Sequence, residues 1–293
     1  MKLRTPVAAI FLFSLVIVKA LESPLENGVY DYHRKVGMAL AQKIKEYEIE
    51  VAKNPERVVG GGSTAIAAVP YQAGLIVTFR WVFQSICGGT VISDTRILTA
   101  AHCQNDGVSI AQSMTVVLGS SLLFSGGTRF DTSDVVMNPG YNPNIVANDV
   151  AVIRTPRITF SIFIQPIALP SGSELWMDFN NFQATVSGFG VTRDGDSIGF
   201  LQGLSSVTVP VITNNACQNM YGGNFIQNHH LCTNGAGGRG ACGGDTGGPL
   251  VVTNNWRRVL IGVSSFIATS GCQTGMPSGF SRVTSFVSWI QSI

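Results

Sequence analysis

A hydroxyl, an imidazole and a carboxylate stand in three distinctive contexts along this 293-residue chain. Thr246 lies in Gly243-Gly244-Asp245-Thr246-Gly247-Gly248-Pro249, His102 in Leu98-Thr99-Ala100-Ala101-His102-Cys103, and Asp149 in Asn148-Asp149-Val150-Ala151-Val152-Ile153. These are the side-chain types that nucleophilic and general acid–base chemistry uses. Taken singly, His102 reads as a core histidine and Asp149 as a turn residue. Thr246 carries a β-methyl that restricts χ1, and it is internal, so it lacks the N-terminal amine that activates threonine in some enzymes. Gly244 brings backbone to a ligand with no side chain in the way.

Residues 1–20 hold Lys2 and Arg4, then an apolar run over 7–18, then small residues, which predicts a secretory signal cut after Ala20. The run is shorter than the ~20 residues of a spanning helix. Six cysteines in an exported chain predict disulfides, although six thiols allow 15 pairings. A metal site is not expected: no pair has CxxC spacing, and His229 and His230, with no i, i+4 partner, read as loop residues. No nucleic-acid, phosphate-loop or collagen-like signature is present.

The elements that must position these groups follow a change of texture at Val58. Residues 21–57 are polar and cysteine-free, and Val36, Leu40, Ile44, Tyr47 and Val51 recur at the spacing of one helical face. From Val58, short β-branched and aromatic runs alternate with Gly, Pro, Asn and Asp. Segments 74–83, 115–118, 150–153, 185–187 and 250–252 read as strands of an antiparallel all-β domain. Near the end, Val283, Phe286, Val287 and Ile290 have helical spacing, with Thr284 as a candidate N-cap. Charge is uneven: the net is +2, every lysine precedes Val58, and ten arginines balance ten acidic residues after it. Arginine keeps its charge above pH ~12, where lysine, at ~10.4, does not. The pattern fits an alkaline gut lumen, or drift in a sparsely charged surface.

The three quoted segments, in this order and at these distances, resemble the chymotrypsin-like serine proteases, insect-gut members most, with threonine in place of the nucleophilic serine. The resemblance covers about residues 58–293. It implies two six-stranded antiparallel Greek-key barrels with a C-terminal helix and an active site between them. It also implies a peptidase domain at 58–293 behind a pro-segment at 21–57, cut after Arg57 to free Val58 of Val58-Val59-Gly60-Gly61. An ordinary interdomain linker is the alternative for 21–57, disfavoured by the close fit of the motif that follows. Without cysteine, the pro-segment is expected to be released. The new Val58 ammonium would pair with Asp245.

By the same resemblance, His102 is general base, Asp149 orients it, and the N–H groups of Gly244 and Thr246 form an oxyanion hole. Disulfides Cys87–Cys103, Cys217–Cys232 and Cys242–Cys272 are implied. Gly240 stands where trypsin-like members place a pocket aspartate, so Lys or Arg selection is not expected. Ser278 and Ile267 align with pocket walls, Ile267 shortening the pocket toward small or medium apolar residues. Gly243, Ser265 and Phe266 would border an extended peptide.

Thr246 leaves two geometries. If its hydroxyl faces His102, the added methyl costs roughly 1–3 kcal/mol of overpacking, about 10- to 10²-fold in rate. If the methyl displaces the hydroxyl, the loss approaches ~10⁶-fold. The second is favoured, which gives a secreted zymogen-type peptidase homologue with impaired or absent hydrolysis. The alternatives are an active chymotrypsin- or elastase-like endopeptidase using Thr246, and a non-catalytic decoy that binds peptides or protease inhibitors. Implied partners are a peptide or protein substrate or an inhibitor, and an activating trypsin-like protease. A monomer is implied, with no cofactor, membrane or nucleic acid.

Overall fold

Alternation of branched and small residues over 72–99 sets the first hairpins of the fold. The computed structural model describes residues 28–53, 64–80, 83–195, 203–223 and 225–293. Strands β1 (Gln72–Thr78), β2 (Gln84–Ser93), β3 (Arg96–Thr99), β4 (Ser113–Leu118), β5 (Thr128–Thr132), β6 (Val135–Met137) and β7 (Ala151–Arg154) form one antiparallel sheet. Its order is β5-β4-β1-β2-β3-β7-β6. The two ends, β5 and β6, are consecutive in sequence, separated by Ser133 and Asp134. They are two halves of one bent strand, so the sheet curls on itself. This refines the expected six strands to six with one broken at the bend.

The second half closes fully, as closure removes exposed strand edges. Its strands β8 (Gln183–Gly188), β9 (Ser205–Ile212), β10 (His230–Thr233), β11 (Pro249–Asn254), β12 (Arg257–Phe266) and β13 (Ser278–Arg282) form a barrel in the order β10-β13-β12-β11-β8-β9. Phe179, Val186, Val209, Leu231, Leu250 and Phe280 fill it. The three disulfides join Cys87 to Cys103, Cys217 to Cys232 and Cys242 to Cys272, the pairs the resemblance implied. A closed loop of about 15 residues contributes on the order of 3 kcal/mol in the chain-entropy model.

Three sequence expectations need correction. The strand read at 74–83 is β1, which ends at Thr78, where the chain turns and Phe79 N–H bonds the Phe83 carbonyl. Thr284 is not an N-cap: it sits inside a 3₁₀ turn, Val283–Ser285, and the C-terminal helix Val287–Ser292 starts after Phe286 without a side-chain cap. His230 is a strand residue, wholly buried. Its Nδ1 accepts the Gln227 N–H and its Nε2 donates to the Val146 carbonyl. Burial pushes its pKa down to about 4, so the neutral imidazole is a structural link.

The helical periodicity at 36–51 is real. A π-helical turn, His33–Gly37, runs into helix α1, Met38–Lys53. Its apolar face is not free: Leu40, Ala41 and Ile44 join the core of the first sheet, Leu40 and Ile44 each contributing roughly 1.5–3 kcal/mol. Among the described residues, no helix is long and apolar enough to cross a membrane. Residues 1–27 and 54–63, hence the signal reading, Arg57 and Val58, lie outside the described residues.

Candidate active site

Each half of the fold supplies part of one cluster. His102 sits on a 3₁₀ turn, Ala101–Cys103, just after β3, and Asp149 lies two residues before β7, which pairs with β3. Thr246 occupies the turn before β11, and Ser265 lies in β12. The turn is held across the halves: Gly88 N–H of β2 donates to the Thr246 carbonyl at 2.6 Å. Glycine is required here. At Gly247, φ is +80° and a Cβ would lie 2.4 Å from the Gly88 carbonyl oxygen. At Gly244, φ is +97° and a Cβ would meet Gly190 Cα at 2.8 Å.

Asp149, His102 and Thr246 form a continuous relay. Asp149 Oδ2 accepts from His102 Nδ1 at 2.7 Å and Oδ1 accepts the His102 backbone N–H at 2.9 Å. A carboxylate only accepts, so Nδ1 carries the proton and Nε2 presents its lone pair. That lone pair faces Thr246 Oγ1 at 2.6 Å. The favoured sequence reading, in which the methyl turns the hydroxyl away, is therefore corrected: the hydroxyl faces the base.

Burial pushes the Asp149 pKa up, but the His102 charge and the hydrogen bonds from His102 and Ser265 outweigh it and hold the carboxyl below its usual range. Ser265 was read as bordering a bound peptide. The structure gives it a further task, since its buried hydroxyl donates to Asp149 Oδ2 at 2.5 Å. Ser281, which the sequence did not single out, donates to the Asp149 carbonyl at 2.6 Å. Nothing local marks either serine; only the packing of the second barrel against the first brings them to Asp149.

Among the described residues, neither the Gly244 nor the Thr246 N–H has an acceptor. Both remain available to a ligand oxygen, as an oxyanion hole needs. A cavity of about 280 Å³ adjoins them, lined by Gly243, Gly244, Thr246, Ser265, Phe266 and Ile267, among others. Gly240 and Ser278 do not line this space. They pack together beyond it, where a Cβ on Gly240 would lie 2.4 Å from Ser278 Oγ, which accepts the Ala241 N–H. Phe266 turns its ring onto Gly279, Tyr221 and Phe225.

Asp245 faces away from Thr246, into a second cavity of about 230 Å³. Its Oδ1 accepts Gly190 N–H at 2.9 Å and its Oδ2 accepts Cys242 N–H at 2.8 Å. Burial pushes its pKa up to about 6 against these bonds. Ser206 lines the same cavity. Thr64, the first described residue after the gap, bonds Ser206 Oγ through its hydroxyl at 2.7 Å and donates its N–H to the Leu204 carbonyl.

The family known as Trypsin matches residues 58–290. The chain belongs to the trypsin family of serine proteases. A collagenase of Hypoderma lineatum is 39% identical over 235 residues, covering 80% of this chain and 86% of the relative. Serine protease 1 of Drosophila melanogaster is 34% identical, with 80% and 84% covered. A chymotrypsin of Phaedon cochleariae is 32% identical, with 87% and 94% covered. A solved HL collagenase structure superposes with a TM-score of 0.72 at 38% identity, covering 80% of this chain and 97% of its own. Trypsin-family proteases act on peptide or protein substrates, and this fold is theirs.

The sequence did not foresee what the N-terminal segment touches. Tyr32 is buried with its ring edge-to-face against His102, centroids 5.3 Å apart, and its hydroxyl donates to the Ile86 carbonyl at 2.9 Å. His33 Nε2 donates to the His102 carbonyl at 3.1 Å, leaving Nδ1 to accept from Ser85 Oγ at 2.9 Å. Burial pushes the His33 pKa down to about 4, with Asp106 opposing and His102 adding to the shift. The periodicity signalled an apolar face on this segment; no sequence signal said which surface would receive it.

Proposed function

We propose that the chain is a secreted, zymogen-type endopeptidase that uses Thr246 as nucleophile, at a rate reduced by its methyl. The hydrogen-bond relay from Asp149 through His102 to Thr246 Oγ1 carries this reading. His102 Nε2 takes the hydroxyl proton as Oγ1 attacks the scissile carbonyl. The Gly244 and Thr246 N–H groups receive the developing oxyanion, His102 then protonates the leaving amine, and water resolves the acyl-enzyme. The same relay disfavours the decoy reading, which needs no aligned hydroxyl.

The zymogen part rests on Arg57-Val58 and on Asp245. Residues 1–20 would direct export, and a trypsin-like protease would cut after Arg57. Thr64 is bonded to Ser206, which lines the Asp245 cavity, and the proposed pair asks the six residues from Val58 to Thr64 to span no more than the ~20 Å that six residues can reach. With no carboxylate among the described residues that line the cavity beside Thr246 and with Ile267 on its wall, small to medium apolar side chains are the substrates of choice. The test is burst kinetics with an acylating ester on the protein cleaved after Arg57 and separated from its N-terminal segment. A stoichiometric burst lost in Thr246→Ala is the expected result; equal turnover by Thr246→Ala would overturn the assignment.

A further inference from the structure

We infer that residues 28–53 form an inhibitor that occupies the substrate groove and stays bound there after cleavage at Arg57, so that cutting alone does not open the site. The inference rests on the protease reading of the same groove. It replaces the expectation, drawn from the lack of cysteine, that this segment simply leaves.

The segment packs on three parts of the site around Thr246. Tyr32 closes over His102. Leu40 lies on the oxyanion loop, where a Cβ on Gly243 or Gly244 would come 3.5 or 3.4 Å from its Cδ1. Gly28 reaches the end of β12, the segment expected to border a substrate, its own Cβ position falling 3.3 Å from Phe266 Cβ and 3.4 Å from the Ile267 carbonyl. A substrate carbonyl over Thr246, its leaving group at His102 and its extended backbone along 265–267 would each collide with one of these. Gly37 lets the helix sit directly on Ser85, whose Oγ would be 1.9 Å from any Cβ there.

Polar anchors at both ends fix the register. Asp106, fully buried, accepts His33 N–H at 2.9 Å through Oδ2 and Asp31 N–H at 3.1 Å through its carbonyl. At the far end the buried Glu48 carboxylate accepts Leu123 N–H at 2.6 Å and Phe124 N–H at 2.9 Å. These are paired, desolvated contacts of the sort that dominate interfaces. The segment is an inhibitor and not a substrate, because its backbone is helical and the Gly244 and Thr246 donors receive no carbonyl from it.

The full chain is cleaved after Arg57 and run on size-exclusion chromatography, and a fluorescent synthetic peptide of residues 28–53 is titrated into the cleaved, separated chain. Anisotropy reads binding without turnover, and an apolar peptide substrate reads competition. The expected results are co-elution of the cut segment, competitive inhibition, and a rise in Ki of at least ~30-fold for peptide Tyr32→Ala and about 10- to 100-fold for peptide Glu48→Ala. Prompt separation on cleavage with no peptide binding at 0.1 mM (on the order of the weakest useful affinity) overturns the inference, as does binding that leaves turnover unchanged. A chain that binds the peptide but hydrolyses nothing overturns the protease reading alone.

Discussion

Replacing Thr246 by serine should raise kcat of the enzyme, cleaved after Arg57 and separated from residues 28–53, by about 10- to 100-fold. The hydroxyl already faces His102 Nε2 at 2.6 Å, so serine gains no new hydrogen bond. What it removes is a methyl on a buried residue: Thr246 is 7% exposed, in a turn held against β2 by the Gly88 N–H. Relief of overpacking is worth roughly 1–3 kcal/mol, which at 1.36 kcal/mol per decade is 10- to 10²-fold. The assay is steady-state hydrolysis of a peptide with a small apolar residue before the scissile bond, with active sites counted by burst amplitude. A gain near ~10⁶-fold would mean that the threonine hydroxyl is misaligned in solution. No gain at all would mean that the methyl is accommodated without cost. Either result refutes the reasoning from crowding.

The uncut chain should lose stability as pH rises through 6, and Asp245→Asn should remove that pH dependence. The folded pKa, about 6, exceeds the ordinary 3.8, so stability present below pH 3.8 is lost as pH rises through 6, by about 3 kcal/mol at 1.36 kcal/mol per unit. Thermal melts at pH 4 and pH 8 would show it, as would a rise in Tm at pH 8 on forming the Val58 ammonium; a stable product starting elsewhere than Val58 would sink the pairing. Ile267→Gly should move substrate preference toward larger apolar residues, read as a change in kcat/KM ratio across a peptide series, with unchanged ratios arguing that Ile267 does not bound the pocket. The cleaved enzyme should stay folded near pH 10. Burial pushes the Tyr71 pKa up to about 12 and raises Tyr141 and Tyr221 as well, so these groups withdraw stability only as pH climbs past ~10; unfolding well below pH 9 would contradict this.

The strands, the disulfide pairs and the three chemical groups could be read from the chain because each is written locally or in a family motif: branched alternation, turn glycines, and the contexts of His102, Asp149 and Thr246. Element ends were less legible, since Thr284 and Thr78 are placed by packing and turn closure and not by propensity. Whether Thr246 faces its base could not be read, because a χ1 angle is chosen by the walls around it, here Gly88, Ser265 and the second barrel. The partners Ser265 and Ser281 of Asp149 come from β12 and β13, more than a hundred residues away, and only docking of the two halves brings them there. The helical face at 36–51 was written in the sequence by its period. Its destination, the groove over His102, was decided by shape and by buried acceptors at Asp106 and Ile86, which no pattern along the chain records.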